Sequence, residues 1–364
     1  MKKVILAVLL AGVLLLTGCD SMLERRHLLT LEPYAPVSAP VGSSTLRVEN
    51  YQELYRAILS LVSNGDEHAV LNLYNYTAQD LEDDLTRACL EVVQEDPLGA
   101  YMVDYIKHDY SLIVSYYEVD LNITYRHTVD EMDAIVSVTG SSAIRRELRR
   151  TLGDFSSKAV LRVSYFAEDE DYILDLVRQA YYNTPAAALG MPEVAVSLYP
   201  SSGTNRIVEI DLIYPAAQES LRRSSKELKE TALAITLSAE SARALFDAAA
   251  DGLRTVEGSG LCTAYDALIG RAADSEGCAL AFQLLCDQAG VNSTVVQGTL
   301  NGAPHFWNII SEDGVLYCHA DLSAGLFSLT DEDLLHAGGY QWARAEYPAC
   351  ESGSDAAEKE NSEI

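Results

Sequence analysis

Basic residues are scarce in this sequence. Only 26 Lys and Arg stand against 54 Asp and Glu, a formal charge of −28. A surface that acidic argues against nucleic acid, whose phosphates are bound by clustered Lys and Arg. The same acidity repels anionic lipid headgroups, so no basic patch holds this chain to a membrane. It also keeps a protein soluble. Long apolar runs are missing as well. The stretch Val4–Leu16 is uncharged but too short to cross a bilayer as a helix. Cysteine is sparse, and no Cys-x-x-Cys or His-x-x-x-His pair occurs, so no structural zinc site is expected. Besides Cys19 there are Cys89, Cys262, Cys278, Cys286, Cys318 and Cys350. Six cysteines allow fifteen full pairings, and the spacing chooses none of them. The chain is no small disulfide-dense scaffold, so mostly free thiols are expected. No cofactor is expected.

Two features mark the ends. Lys2 and Lys3 precede the apolar run in the manner of a secretory leader. The run closes on Leu16-Thr17-Gly18-Cys19, which resembles the lipobox of bacterial lipoproteins. That resemblance implies cleavage before Cys19, lipid on its thiol and new amine, and an extracytoplasmic, lipid-anchored chain. Losing residues 1–18 removes two lysines and no acid, which moves the formal charge to −30. Residues 19–44 carry Pro33, Pro36, Pro40 and Gly42 and read as a membrane-proximal spacer. Residues 351–364 are polar, acidic and without periodicity, the composition of a disordered tail.

Between the ends the pattern is mixed, which predicts an α+β fold. In residues 45–219, helical spacing appears over Tyr51–Leu61, Leu81–Gln94, Ala143–Leu152 and Asp169–Tyr181. Strand patterning appears over Leu112–Val119, Leu121–Tyr125, Ala159–Tyr165, Val194–Leu198 and Ile207–Leu212. The last two flank the turn Pro200–Asn205 and read as a hairpin. This region is rich in tyrosine, expected to be mainly half-buried, and holds no motif that carries chemistry. Residues 220–350 begin with helices over Gln218–Ala239 and Ser241–Leu253.

The chemistry-bearing residues lie further on. Asp274-Ser275-Glu276-Gly277-Cys278-Ala279 opens a helix that Gly290 ends. Strands follow at Asn292–Gly298, His305–Ile310 and Val315–Asp321, the last two closed by an Asp313-Gly314 turn. With His305-Phe306-Trp307-Asn308 and Tyr317-Cys318-His319-Ala320-Asp321, this order resembles the core of bacterial transglutaminase-like domains of the papain superfamily. Their pattern is Cys-Glu-Gly-Tyr-Ala, then His-Ala-Trp-Asn, then Tyr-x-x-Asp. The segments Leu329–Leu334 and Tyr340–Cys350 also resemble the ending of exported members. The resemblance covers about Leu261–Cys350, and implies a papain-like domain after an N-terminal helix and strand region.

The departure is at the nucleophile. Relatives carry cysteine where this chain has Ser275. In that chemistry a thiol at a helix tip is ionised by a histidine, which an acid orients. The resemblance assigns those two roles to His305 and Asp321. An alcohol does not ionise so readily, and losing the nucleophile of such a triad costs about 10⁶ in kcat. The expected function is therefore a degenerate cleft that binds a peptide, a protein segment or cell-wall peptide without turnover. The alternative is an active cysteine peptidase or transglutaminase using Cys278, one turn into the helix, or Ser275 itself, with His305 and Asp321. A purely structural role is a third reading. Trp307 is expected to pack beneath the histidine strand, His319 to be incidental, and Tyr265 to border the cleft.

Overall fold

The computed structural model describes residues 46–77 and 80–351. The leader, the lipobox cysteine Cys19, the spacer and the tail beyond residue 351 lie outside the described residues. Helices and strands alternate irregularly, which makes the fold α+β.

The first sheet is built from β1 (Leu46–Val48), α1 (Tyr51–Asn64), β2 (His68–Tyr74), α2 (Leu81–Gln94), α3 (Pro97–Met102), β3 (Val103–Ile113) and β4 (Tyr116–Tyr125). Its strand order is β1-β2-β4-β3. Local chemistry sets the helix ends. The Asn50 side chain accepts the Glu53 N–H at the start of α1, and Gly65, at φ 74°, closes it in the left-handed region. Asp80 caps α2 through the Glu82 and Asp83 amides. Leu54 and Ile58 of α1 and Leu85, Cys89 and Val92 of α2 are buried, as their spacing requires. The strand read over Leu112–Val119 is instead the end of one strand, a tight turn at Val114-Ser115, and the start of the next. Val114 takes φ 51°, a conformation β-branched residues rarely adopt, so nothing in the sequence announces this turn.

The second sheet, in order β5-β6-β8-β7, follows from α4 (Val129–Asp133), β5 (Val136–Val138), α5 (Gly140–Gly153), β6 (Lys158–Val163), α6 (Glu170–Tyr182), β7 (Glu193–Tyr199) and β8 (Arg206–Ile213). Strands β7 and β8 pair antiparallel from Glu193 opposite Ile213 to Tyr199 opposite Ile207.

The remainder comprises α7 (Gln218–Thr236), α8 (Ala242–Ala250), β9 (Arg254–Thr255), α9 (Ala264–Leu268), β10 (Ala272–Ala273), α10 (Ser275–Ala289), β11 (Asn292–Leu300), β12 (Ala303–Ser311), β13 (Cys318–Asp321), β14 (Leu326–Leu329), α11 (Asp331–Ala337) and β15 (Tyr340–Gln341). Its main sheet runs β14-β13-β12-β11-β15 and is antiparallel throughout. Helix α10 is central: it is apolar nearly all round, and its residues from Gly277 to Cys286 are buried. The main core joins Ile144 and Leu148 of α5, Ile173 and Leu176 of α6, and Phe282 and Leu285 of α10. It therefore runs across residue 219.

A smaller core lies on the other face of the β11–β12 pair, around Val296, Trp307, Ile309, Leu334 and Tyr340. Gly298 makes room for it. A Cβ there would stand 2.6 Å from the Trp307 ring and 2.4 Å from the Gln341 carbonyl oxygen. Neither a buried indole nor a paired backbone can yield cheaply. Gly298→Ala is expected to cost about 1–3 kcal/mol of stability as overpacking, measured by urea unfolding followed through tryptophan fluorescence. A wild-type midpoint would show that Trp307 is free to move.

Candidate functional site

Ser275 is the first residue of α10, and Asp274 caps that helix by accepting the Gly277 N–H at 3.1 Å. Gly277 is where the helix tip touches its neighbours. A Cβ on it would come within 3.0 Å of the Ala273 methyl and of Thr263 backbone atoms. The tip is thus wedged against α9 and β10. Two buried polar links hold the helix on the sheet. Asn308 Nδ2 donates to the Ala279 carbonyl at 3.1 Å, and the Gln283 amide exchanges two 3.0 Å hydrogen bonds with Ser293.

His305 and Asp321 stand on adjacent strands, β12 and β13. His305 Nε2 lies 2.6 Å from Asp321 Oδ2, with both side chains almost fully buried. Asp321 is the hub of a wider set. Tyr340 Oη donates to Oδ2 at 2.7 Å, and Ser323 Oγ and the Ala324 N–H donate to Oδ1 at 2.7 and 3.0 Å. Burial works against ionisation of this carboxyl. The hydrogen bonds from His305, Ser323 and Tyr340 outweigh it and hold Asp321 below the usual carboxylate range. An ionised Asp321 accepts the His305 Nε2 proton, so Nδ1 keeps the lone pair that a general base needs. That nitrogen makes no hydrogen bond to a described residue.

Ser275 is not part of this set. Its hydroxyl donates instead to Glu257 at 3.5 Å, the outer limit for such a bond. No hydrogen bond joins Ser275 to His305 among the described residues. Side chains alternate along β12. Asn308 and Ile310 turn to α10, whereas Trp307 and Ile309 enter the smaller core on the opposite face. His305 shares the parity of Trp307, and its ring lies 5.7 Å from the Tyr340 ring. Around the helix tip the charge is negative. Glu276 accepts a 3.0 Å hydrogen bond from Tyr182 of α6, and burial pushes its carboxyl up. Burial also pushes up Asp274.

Cys278 is a core residue, 1% exposed. Burial, reinforced by the negative charges of Asp321, Asp274 and Glu257, pushes its thiol up to about 12. A reactive thiol needs the reverse: partial exposure and a cationic neighbour. Cys262, half-buried near Glu276, is pushed up to about 11 for the same reasons. Tyr265 donates to Glu227 at 2.8 Å and packs, half-buried, against the edge of the main core.

His319, read from the sequence as incidental, has a definite place. It is buried, accepts the Trp307 indole N–H on Nδ1 at 3.0 Å, and meets Asp331 Oδ1 through Nε2 at 2.9 Å. With Cys350, these side chains bring three candidate metal-ligand atoms within 4.8 Å of one another. The donors do not suit a metal. The indole N–H occupies the Nδ1 lone pair, so the neutral ring carries its proton on Nε2, where the ion would bind. Burial lowers the His319 pKa and so favours that neutral ring. The cluster acts as a hydrogen-bonded strut between β12, β13 and α11.

Sequence reasoning did not single out Tyr340, Ser323 or Glu257 as site residues. Tyr340 lies in a segment that resembles the family ending, but nothing in that segment shows that the phenol reaches Asp321. Glu257 sits in a Gly- and Ser-rich turn with no pattern of its own. A cavity of about 540 Å³ lined by Asp154, Arg222, Lys226 and Lys229 shares no residue with this site.

No family model matches the chain, and no curated protein matches it. Among solved structures it is similar to one of a TGase, 12% identical, with a TM-score of 0.26, over 64% of this chain and 68% of that one. It is also similar to a candidate cysteine protease from Cytophaga hutchinsonii, 15% identical, with a TM-score of 0.23, over 41% of this chain and 70% of that one.

Proposed function

We propose that this chain is an extracytoplasmic protein, lipid-anchored through Cys19, whose transglutaminase-like cleft binds a peptide, a protein segment or cell-wall peptide without turning it over. The observation that carries the reading is the contrast at the cleft. The His305–Asp321 pair is fully supported by Tyr340 and Ser323, while the helix tip carries an alcohol that faces Glu257 instead of the imidazole. A histidine–carboxylate pair kept in a nearly closed site can still recognise an amide or hydroxyl group through Nδ1. Without a nucleophile hydrogen-bonded to that imidazole, no acyl-enzyme forms. Cys278 does not supply one, because its thiol is buried and held protonated.

The test is binding with recovery of intact ligand. Short peptides and soluble cell-wall stem peptides are titrated calorimetrically, and each is recovered by mass spectrometry after long incubation. Binding weakened by His305→Ala, with unchanged ligand mass, is the expected result. In the same samples Cys278 should resist iodoacetamide at neutral pH and label only in urea. Cleavage or amide exchange of a peptide, lost in His305→Ala, would replace this reading with the enzyme. Failure of every peptide to bind would leave the scaffold.

A further inference from the structure

The hairpin of β3 and β4 runs beyond the helices that cover its sheet. Its register places Tyr110 opposite Val119, Leu112 opposite Tyr117, and Ile113 opposite Tyr116. Val119 is buried, but toward the turn the side chains emerge. Leu112 is 63% exposed and Val114, at the turn itself, 98%. Both faces of the ribbon are apolar there. Tyr110, Leu112 and Tyr117 share one face, and Ile113, Tyr116 and Tyr74 the other. The tyrosines stack in pairs behind the tip, Tyr74 on Tyr116 at 4.6 Å and Tyr110 edge-on to Tyr117 at 6.0 Å. Residues 110–117 carry no charge, in a chain where 22% of residues are charged. Asp109, Glu118 and Asp120 begin immediately behind them.

We infer that this hairpin tip dips into a lipid surface. A flat protein partner would cover one face and leave the other wet, whereas an apolar medium surrounds both faces and the turn. Leu112, Ile113 and Val114 would enter the acyl boundary. The tyrosines behind them have the amphipathic rings that sit at the headgroup level. The acidic residues next in line set the depth, since they are repelled by anionic headgroups and costly to submerge. The inference rests on the lipid-anchor reading for its tether. The 27 residues from Asp20 to Leu46 reach at most about 90 Å when extended, and they lead into β1 of the same sheet. A lipid on Cys19 would keep the tip near the bilayer, and the tip would add a second, weaker contact that orients the protein.

The test uses the full chain reconstituted into phosphatidylcholine vesicles. Val114→Trp is compared with Val315→Trp, a largely exposed position in another loop, and with the wild type, whose two tryptophans give the background. Val114→Trp is expected to shift its emission to the blue and to be quenched by dibrominated lipid about twofold or more above the control. Adding Leu112→Asp should abolish that excess, and anionic vesicles should reduce it. Equal quenching at positions 114 and 315 overturns the inference. So does a blue shift of Val114→Trp that grows with protein concentration in the absence of lipid, because that assigns the tip to a second copy. Co-flotation of the wild type, lost in Cys19→Ala, reads the anchor separately, so failure of the tether and failure of the tip are distinguishable.

Discussion

Ser275→Cys should create a thiol that reacts faster than Cys278 in the folded protein, and adding Glu257→Gln should speed it about tenfold further. The native cysteines at the site are disarmed by burial and by negative neighbours, as the Cys278 thiol held near 12 shows. A thiol at the first position of α10 would share their burial, since Ser275 is 3% exposed, but would differ from Cys278 in standing at the helix N-terminus, where negative charge is stabilised. Burial of the position opposes ionisation there, and so does nearby negative charge. The Glu257 carboxylate that now accepts the Ser275 hydroxyl would face the new sulfur and favour its protonated form. A like charge at that distance shifts a pKa by about one unit, which is about tenfold in thiolate below the pKa. Neutralising Glu257 should therefore raise the iodoacetamide rate at pH 6–7, and the gain should fade as pH rises through the thiol's own pKa. His305→Ala should slow the doubly substituted protein if the imidazole comes within reach of the tip. Rates read by mass spectrometry that ignore both Glu257→Gln and His305→Ala would mean that the helix tip and the histidine strand do not share a cleft.

Asp321→Ala is expected to be the most destabilising single change at the site, by about 3–5 kcal/mol. Asp321 is 1% exposed and receives hydrogen bonds from His305, Tyr340, Ser323 and the Ala324 amide. Removing the carboxylate leaves two buried donors, His305 and Tyr340, and two part-buried ones, Ser323 and the Ala324 amide, without their acceptor; each buried unsatisfied group costs about 1–3 kcal/mol before relaxation. Tyr340→Phe deletes one donor and should cost only about 1 kcal/mol. The pH dependence follows from the sign of the shift. The folded Asp321 carboxyl is held below its unfolded value, so its contribution is complete above the usual carboxylate range. It is lost as pH falls below about 4 and through the depressed value. Urea midpoints at pH 7 and pH 3 should therefore separate wild type from Asp321→Ala widely at the first and much less at the second. An equal gap at both would show that Asp321 is protonated in the folded protein.

Where an element depends on its own residues, the sequence is legible. Leu81–Gln94 is a helix over its predicted span because Asp80 caps it and Leu85, Cys89 and Val92 recur on one face. The helix from Ser275 ends at Gly290, whose φ of 74° is free of strain only without a side chain. Strand β3 is harder to read. Its residues Asp104 to Ile113 are largely exposed, so no buried face imposes an alternating pattern. The turn after it lacks the glycine or asparagine that would mark it.

The sequence by itself determined an acidic α+β chain with a helix tip at Ser275 and with His305 and Asp321 on strands that follow. Those features come from composition, periodicity and caps, which are properties of neighbours along the chain. Only the tertiary structure decided which of these groups meet. It gave Asp321 the Tyr340 phenol from the far end of the sheet, turned the Ser275 hydroxyl toward Glu257, closed Cys278 into the core, and made His319 the acceptor for Trp307. Each of those pairings joins residues from separate elements, and the strand register and helix packing that bring them together are set by burial of the whole core.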